Sequence, residues 1–236
     1  MAPKVEPILK VKPLFSVLDT AVTAEPSAAI SPTVVFILGT LTSGETSWPK
    51  RLRSGAFLML AYESASVIHG IGHIVSSRKA NAPMDAIHLA APLPRTVYYN
   101  NDIPPESHIM RAVGGPIMSG LVFLVSFIGR FLTSANSASR ELMNLFSFMN
   151  FALGLGSLLP MPFIDGGSIF KWRLVQQGGR TPDAAAALVE EANLILGGLC
   201  GLIGFIFLPF RFWKTAVAFI FLGAGFILAG LGKIGK

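Results

Sequence analysis

Long apolar runs alternate with short polar connections along most of this chain. Five runs reach the roughly 17–25 residues a helix needs to cross a bilayer: Ser54–Ser77, Ala112–Thr133, Leu142–Pro160, Ala192–Phe210 and Thr215–Leu231. A sixth, Ser27–Thr42, would make a helix of about 24 Å against a hydrocarbon core of about 30 Å. Pro32 near its start is tolerable in a first helical turn. Residues 1–26 hold four prolines and scattered charges, with neither the apolar core nor the cleavage site of a signal peptide. They read as a tail, lying on the membrane surface or disordered. The loop Arg78–Arg111, with its Pro, Tyr-Tyr and Asn-Asn-Asp clusters, reads as irregular or edge-strand chain. The stretch Lys171–Glu191 begins helical, breaks at Gln177-Gly178-Gly179 and restarts with Thr181 as N-cap and Pro182 in the first helical position. The pattern predicts an all-α integral membrane protein of about six transmembrane helices, with a tail at 1–26 and one polytopic membrane domain at 27–236.

Composition agrees. Of 236 residues, 52% are hydrophobic and 14% charged, where a soluble domain carries roughly 25% charged. A chain with 18 Phe must bury apolar surface somewhere, which excludes disorder over most of its length. The single cysteine, Cys200, excludes a disulfide framework and a cysteine-based zinc cluster. The net charge of +6 on so apolar a chain reads as a bias toward the cytoplasmic leaflet of membrane lipids rather than as nucleic-acid binding. If Ser27–Thr42 crosses, Lys and Arg divide twelve against seven. The richer side holds the N-terminus, the Arg78–Arg111 loop and the Lys171–Arg180 loop, and by the positive-inside rule it is cytoplasmic.

Four histidines are the first candidates for chemistry: His69, His73, His88 and His108. Four residues apart on a helix is 400° of rotation, so His69 and His73 leave one face about one turn apart. That spacing suits two corners of a tetrahedral metal, and cannot place both rings across a single haem. The ordinary alternative is polar side chains bonding between helices, although ionisable groups at membrane depth point to function. Asp165, in SLLPMPFIDGGSIF, follows a proline-broken run and precedes two glycines. Irregular backbone at that depth is tolerated only inside protein or beside a wet cavity, and a carboxylate there calls for a counter-charge; a helix cap at a membrane surface fits the same residues. His88 and His108 fall in the polar loop, where histidines are mostly solvated. Asn144 and Asn150 suit interhelical hydrogen bonds, and Trp48, Trp172 and Trp213 lie near segment ends as interfacial anchors do.

Three segments in order, HGIGH at 69–73, AVGGPIMSG at 112–120 and SLLPMPFIDGG at 157–167, resemble the motifs of the site-2 protease family of intramembrane zinc metalloproteases. That family carries H-E-x-x-H, a G-P motif and N-x-x-P-x-x-x-L-D-G-G on successive helices. The run IHLAAPLPRTVYYNNDIPPESHIMRAVGGP also resembles the family's segment between the first two motifs. The resemblance covers about residues 30–176 and implies a three-helix protease-like core, with two additional C-terminal helices at about 192–231. It implies zinc, with His69, His73 and Asp165 as ligands. It also exposes departures. Gly70 stands where the family has the glutamate that acts as general base, and Ser157 and Ser119 stand where it has asparagines. Gly115, Pro116, Ser119 and Ser157 become the candidates for lining a substrate groove. Glu63 lies about 10 Å along the helix axis from Gly70 and cannot replace the missing base; Glu106 or Asp102 could reach in from the loop. The resemblance therefore implies a proteolytically impaired protein that keeps its metal and binds membrane-protein partners or segments, with no catalytic residue assigned. The alternatives are an active intramembrane metalloprotease with a non-standard base, and a structural subunit of a membrane complex whose histidines join helices.

Overall fold

The computed structural model describes residues 12–91, 94–135, 137–208 and 213–233. Their elements run β1 (Phe15–Val17), β2 (Thr20–Ala24), α1 (Ile30–Thr42), α2 (Trp48–Lys79), β3 (Ala86–Leu89), β4 (Arg95–Val97), α3 (Pro105–Gly129), α4 (Ala138–Ser157), α5 (Asp165–Gly178), α6 (Pro182–Phe207) and α7 (Trp213–Gly230). The chain divides into two compact units, Met1–Ile103 with Val113–Gly156, and Pro104–Ala112 with Ser157–Lys236.

The first unit holds a four-stranded sheet in the order β1-β2-β3-β4. β1 and β2 form a hairpin through Leu18 and Asp19, both at positive φ (46° and 54°), the twist that suits a two-residue hairpin turn. β2 is β-branched at three of its five positions, and such side chains fit a half-buried pleated surface. β2 pairs in parallel with β3, Val22 opposite Ile87 and Thr23 opposite His88. Parallel neighbours need a crossover between them, and here the helical pair α1–α2 supplies it. α2 is 32 residues long, about 48 Å, and ends on Arg78 and Lys79, whose charges complement its carboxyl end.

In the second unit a small core of Met161, Phe226 and Ala229 gathers Leu159, Ile164, Leu196 and Cys200 around it. α5 stops at Gly178, and the next residue, Gly179, takes the left-handed φ of 58°. Thr181 then caps α6, its Oγ1 accepting from the Ala184 N–H at 3.3 Å. The break and restart predicted between the two helices lie at these residues.

Three expectations change. The all-α prediction gives way to a mostly helical chain with four short strands among the described residues. Two of them lie inside the expected tail, where Thr20 and Val22 are buried by strand pairing; tail residues 1–11 fall outside the described residues. Of the six expected spans, two helices among the described residues are long and apolar enough to cross a membrane, over Pro105–Leu132 and Pro182–Phe207, and the described parts Pro26–Thr42 and Thr215–Gly230 are apolar but shorter. α2 starts with Lys50, Arg51 and Arg53 and carries Glu63, and α4 starts with Arg140 and Glu141, so charged turns extend these helices beyond their apolar runs. The most apolar stretches of α3 and α6 are only 33% and 17% buried, whereas the core helix of a soluble protein is mostly covered.

Candidate metal centre

α2 carries His69 and His73 one turn apart, and the rings meet edge to face with centroids 4.8 Å apart. Their Nε2 atoms are 3.1 Å from each other. Two nitrogens bound tetrahedrally to zinc at about 2.0–2.1 Å stand about 3.3 Å apart. The pair is thus within a few tenths of an ångström of a two-histidine bite.

α3 sets that geometry. A Cβ on Gly72 would meet the Gly114 carbonyl oxygen, and one on Gly114 would meet Ser76 Oγ and the Gly72 carbonyl oxygen. α2 and α3 therefore cross at backbone contact, which only small residues permit. One residue on, a Cβ at Gly115 would fall against Nε2 of both histidines and 2.7 Å from His69 Cδ2. The glycine before Pro116 keeps the space beside both nitrogens clear. A turn further along α3, Ser119 Oγ lies 2.9 Å from His69 Nδ1 and is wholly buried. For Nε2 to present a lone pair, Nδ1 must hold the ring proton and donate it to Ser119 Oγ, the usual arrangement behind a metal-binding imidazole. Gly154 of α4 closes the other side, where a Cβ would stand 3.2 Å from Ser119 Cβ.

In the second unit Asp165 opens α5 after an extended Ile164 (φ −125°, ψ 172°). A Cβ on Gly166 would meet the Leu158 carbonyl, and one on Gly167 the Met161 carbonyl. The two glycines let the first turn of α5 lie directly on the preceding backbone. Asn193 of α6, fully buried, donates from Nδ2 to Pro160 O at 2.6 Å and to Val189 O at 2.7 Å. It ties down the segment leading into Asp165. Asn193 belongs to no motif, and its signal in the sequence is that of a lone amide in an apolar helix.

The whole chain is similar in structure to the site-2 protease from Methanocaldococcus jannaschii, with a TM-score of 0.58 over 96% of this chain and 95% of that one, at 18% identity. The fold is that of a site-2 protease. No family model matches the chain, and no curated protein does. With two apolar helices of crossing length, this fold makes the chain a membrane protein.

Within the site-2 protease fold, the remaining candidates separate. Gly70 faces the sheet: a Cβ there would lie 3.2 Å from Ile87 Cδ1 of β3. Ser157 ends α4 and is buried, and Pro116 lies inside α3. Glu106 is exposed and accepts from Gln176 Nε2 at 2.9 Å. Asp102 is exposed in the loop, its own N–H donating to Asn100 Oδ1 at 3.1 Å. The two loop histidines are not solvated. His88 sits on β3, buried, 2.9 Å from Thr23 Oγ1. His108 is buried in the first turn of α3 and stacks on Trp172 at 3.7 Å with the rings 3° from parallel. Trp172 thus pairs with a histidine, where the sequence suggests an interfacial anchor. The side chain of Trp213 falls outside the described residues.

Proposed function

We propose that this membrane protein keeps a zinc site on His69, His73 and Asp165, has lost peptide hydrolysis, and uses the groove beside Gly115, Pro116, Ser119 and Ser157 to hold transmembrane segments of other membrane proteins. One observation carries the reading: two imidazole nitrogens 3.1 Å apart beside a residue whose missing Cβ leaves them room. Two histidines and a carboxylate with an open fourth position are a donor set that zinc favours. Bound zinc would polarise a carbonyl and make its water more acidic. The chain's own residues supply the rest: Ser119 orients His69, and the glycines of the first α5 turn fix the backbone of Asp165. At position 70 no side chain can take a proton from water or return one to a leaving amine, a loss of typically about 10²–10⁴-fold. With Ser27–Thr42 crossing, the Lys and Arg imbalance supports a cytoplasmic N-terminus.

Elemental analysis of purified protein tests the metal. We expect about one zinc per chain in the wild type and none in His73→Ala; a zinc-free wild type overturns the site. Cleavage of reconstituted transmembrane substrates tests the chemistry. The wild type should leave them intact, and hydrolysis by wild-type protein that His73→Ala abolishes overturns the loss of activity. Gly70→Glu combined with Ile87→Ala, which clears space for the new side chain, should raise cleavage above the wild type.

A further inference from the structure

The turn between α3 and α4 holds two cations without anions. Arg130 lies over Phe127, its Cζ 3.9 Å from the ring centroid, and over Phe131 at 4.7 Å. Arg140, in the first turn of α4, lies 5.4 Å from the same Phe131 ring. Both guanidinium groups thus gather at one aromatic side chain. Arg130 Nε and Arg140 Nη1 are shut off from solvent and have no hydrogen-bond partner among the described residues. Neither arginine is ion-paired among the described residues. The neighbouring acid, Glu141, is already engaged by Arg53 Nη2 at 3.0 Å and Ser54 Oγ at 2.9 Å.

An arginine that merely snorkels keeps its head in water. Here each head has a buried N–H with no acceptor, which is costly for a charged donor. Both residues are otherwise only half-buried, so an anion with several oxygens can accept from the N–H groups that remain open and neutralise the two charges, offsetting that cost. The surroundings say which anion. Val125 is 72% exposed and Leu132 87%, with Ile128 and Phe131 also exposed, and they lie at the end of one of the two helices able to cross a bilayer. An anion reaching this place comes from the bilayer edge, and a phosphodiester accepts the paired N–H groups of arginine with matching geometry. We propose that Arg130 and Arg140, gathered at Phe131, bind the phosphate of an anionic membrane phospholipid.

This rests on the membrane reading and is independent of zinc, so either proposal can fail alone. The test uses the full chain, delipidated in detergent, with retained lipid counted by native mass spectrometry after addition of phosphatidylglycerol, phosphatidylcholine or inorganic phosphate. We expect one phosphatidylglycerol held per chain. Retention should weaken about tenfold in Arg130→Gln and in Arg140→Gln, the worth of one charged hydrogen bond, and stay unchanged in the exposed control Lys79→Gln. Equal retention of phosphatidylcholine, competition by millimolar inorganic phosphate alone, or undiminished phosphatidylglycerol binding in the double glutamine variant would each overturn the proposal. If Arg130→Gln fails to fold, Arg140→Gln, at the start of α4 and outside the α3 turn, carries the same test.

Discussion

Gly115→Ala probes the histidine pair most directly. The added methyl would stand 2.7 Å from His69 Cδ2, where ordinary contact begins near 3.4 Å, and would also press on Nε2 of both rings. Relief at Cδ2 alone requires the His69 ring to move by at least about 0.7 Å, the difference between these two distances, and the closer Nε2 atoms require more. His69 cannot swing freely, because Ser119 holds its Nδ1 at 2.9 Å. A metal site tolerates displacements of about 0.2 Å, so the two nitrogens cannot both remain ligands at their present separation. We expect zinc affinity to fall about 100-fold, or about 2.8 kcal/mol, and the zinc-free protein to lose about 1–3 kcal/mol from overpacking. Gly120→Ala on the same helix is the control: a Cβ there has nothing within 4 Å, so it should be neutral or stabilising within about 1 kcal/mol. Competition against a chromogenic chelator in detergent reads the affinity, and thermal unfolding of the stripped protein reads the packing. Zinc affinity in Gly115→Ala within twofold of wild type would refute the argument that this glycine is needed beside the nitrogens.

Three further outcomes follow from the same geometry. Ser119→Ala removes the 2.9 Å partner of the half-buried His69 Nδ1 and should weaken zinc binding about 10–100-fold, measured by the same competition; an unchanged constant would show that the hydroxyl does not orient the ring. Gly72→Ala sets a methyl against the backbone carbonyl of Gly114, which no rotamer change relieves, so unfolding should come earlier by at least about 1–3 kcal/mol, and an unaltered midpoint would contradict the backbone-contact crossing. Asn193→Ala removes the 2.6 Å bond to Pro160 O and should cost about 1–2 kcal/mol, with faster amide exchange in residues 158–164 as its distinguishing sign.

The helices of this fold were largely legible, because runs such as Ala112–Thr133 and Ala192–Phe210 carry a signal that few soluble segments imitate. Their ends were not. Turns such as Lys50–Arg53 are polar yet helical, since a helix leaving an apolar environment continues as long as its backbone bonds do. Edge-strand chain was legible in the loop Arg78–Arg111, where β3 and β4 lie, but β1 and β2 escaped because three to five residues are too few for alternation to register, and because β2 is paired with a strand more than sixty positions away. The i, i+4 histidines could be placed on one face from spacing alone. What stands opposite them could not: Gly115, Ser119 and Gly72 matter through atoms on another helix, and no local pattern reports a crossing point. Ser119 illustrates the limit. Its substituted motif position is visible in the sequence, but the placement of its hydroxyl 2.9 Å from His69 Nδ1 is not.

The parallel pairing of β2 with β3 also fixes a matter of parity. If the sheet lies at one aqueous face, strands sharing its ladder end on that face, and the chain between Ala24 and Ala86 then traverses the bilayer an even number of times. α1 and α2 consequently enter as a couple or stay out as a couple, and the short α1 is committed by its long neighbour. A glycosylation or cysteine-accessibility tag at Gly44 would then report the face opposite to one at Asn101 whenever α2 crosses.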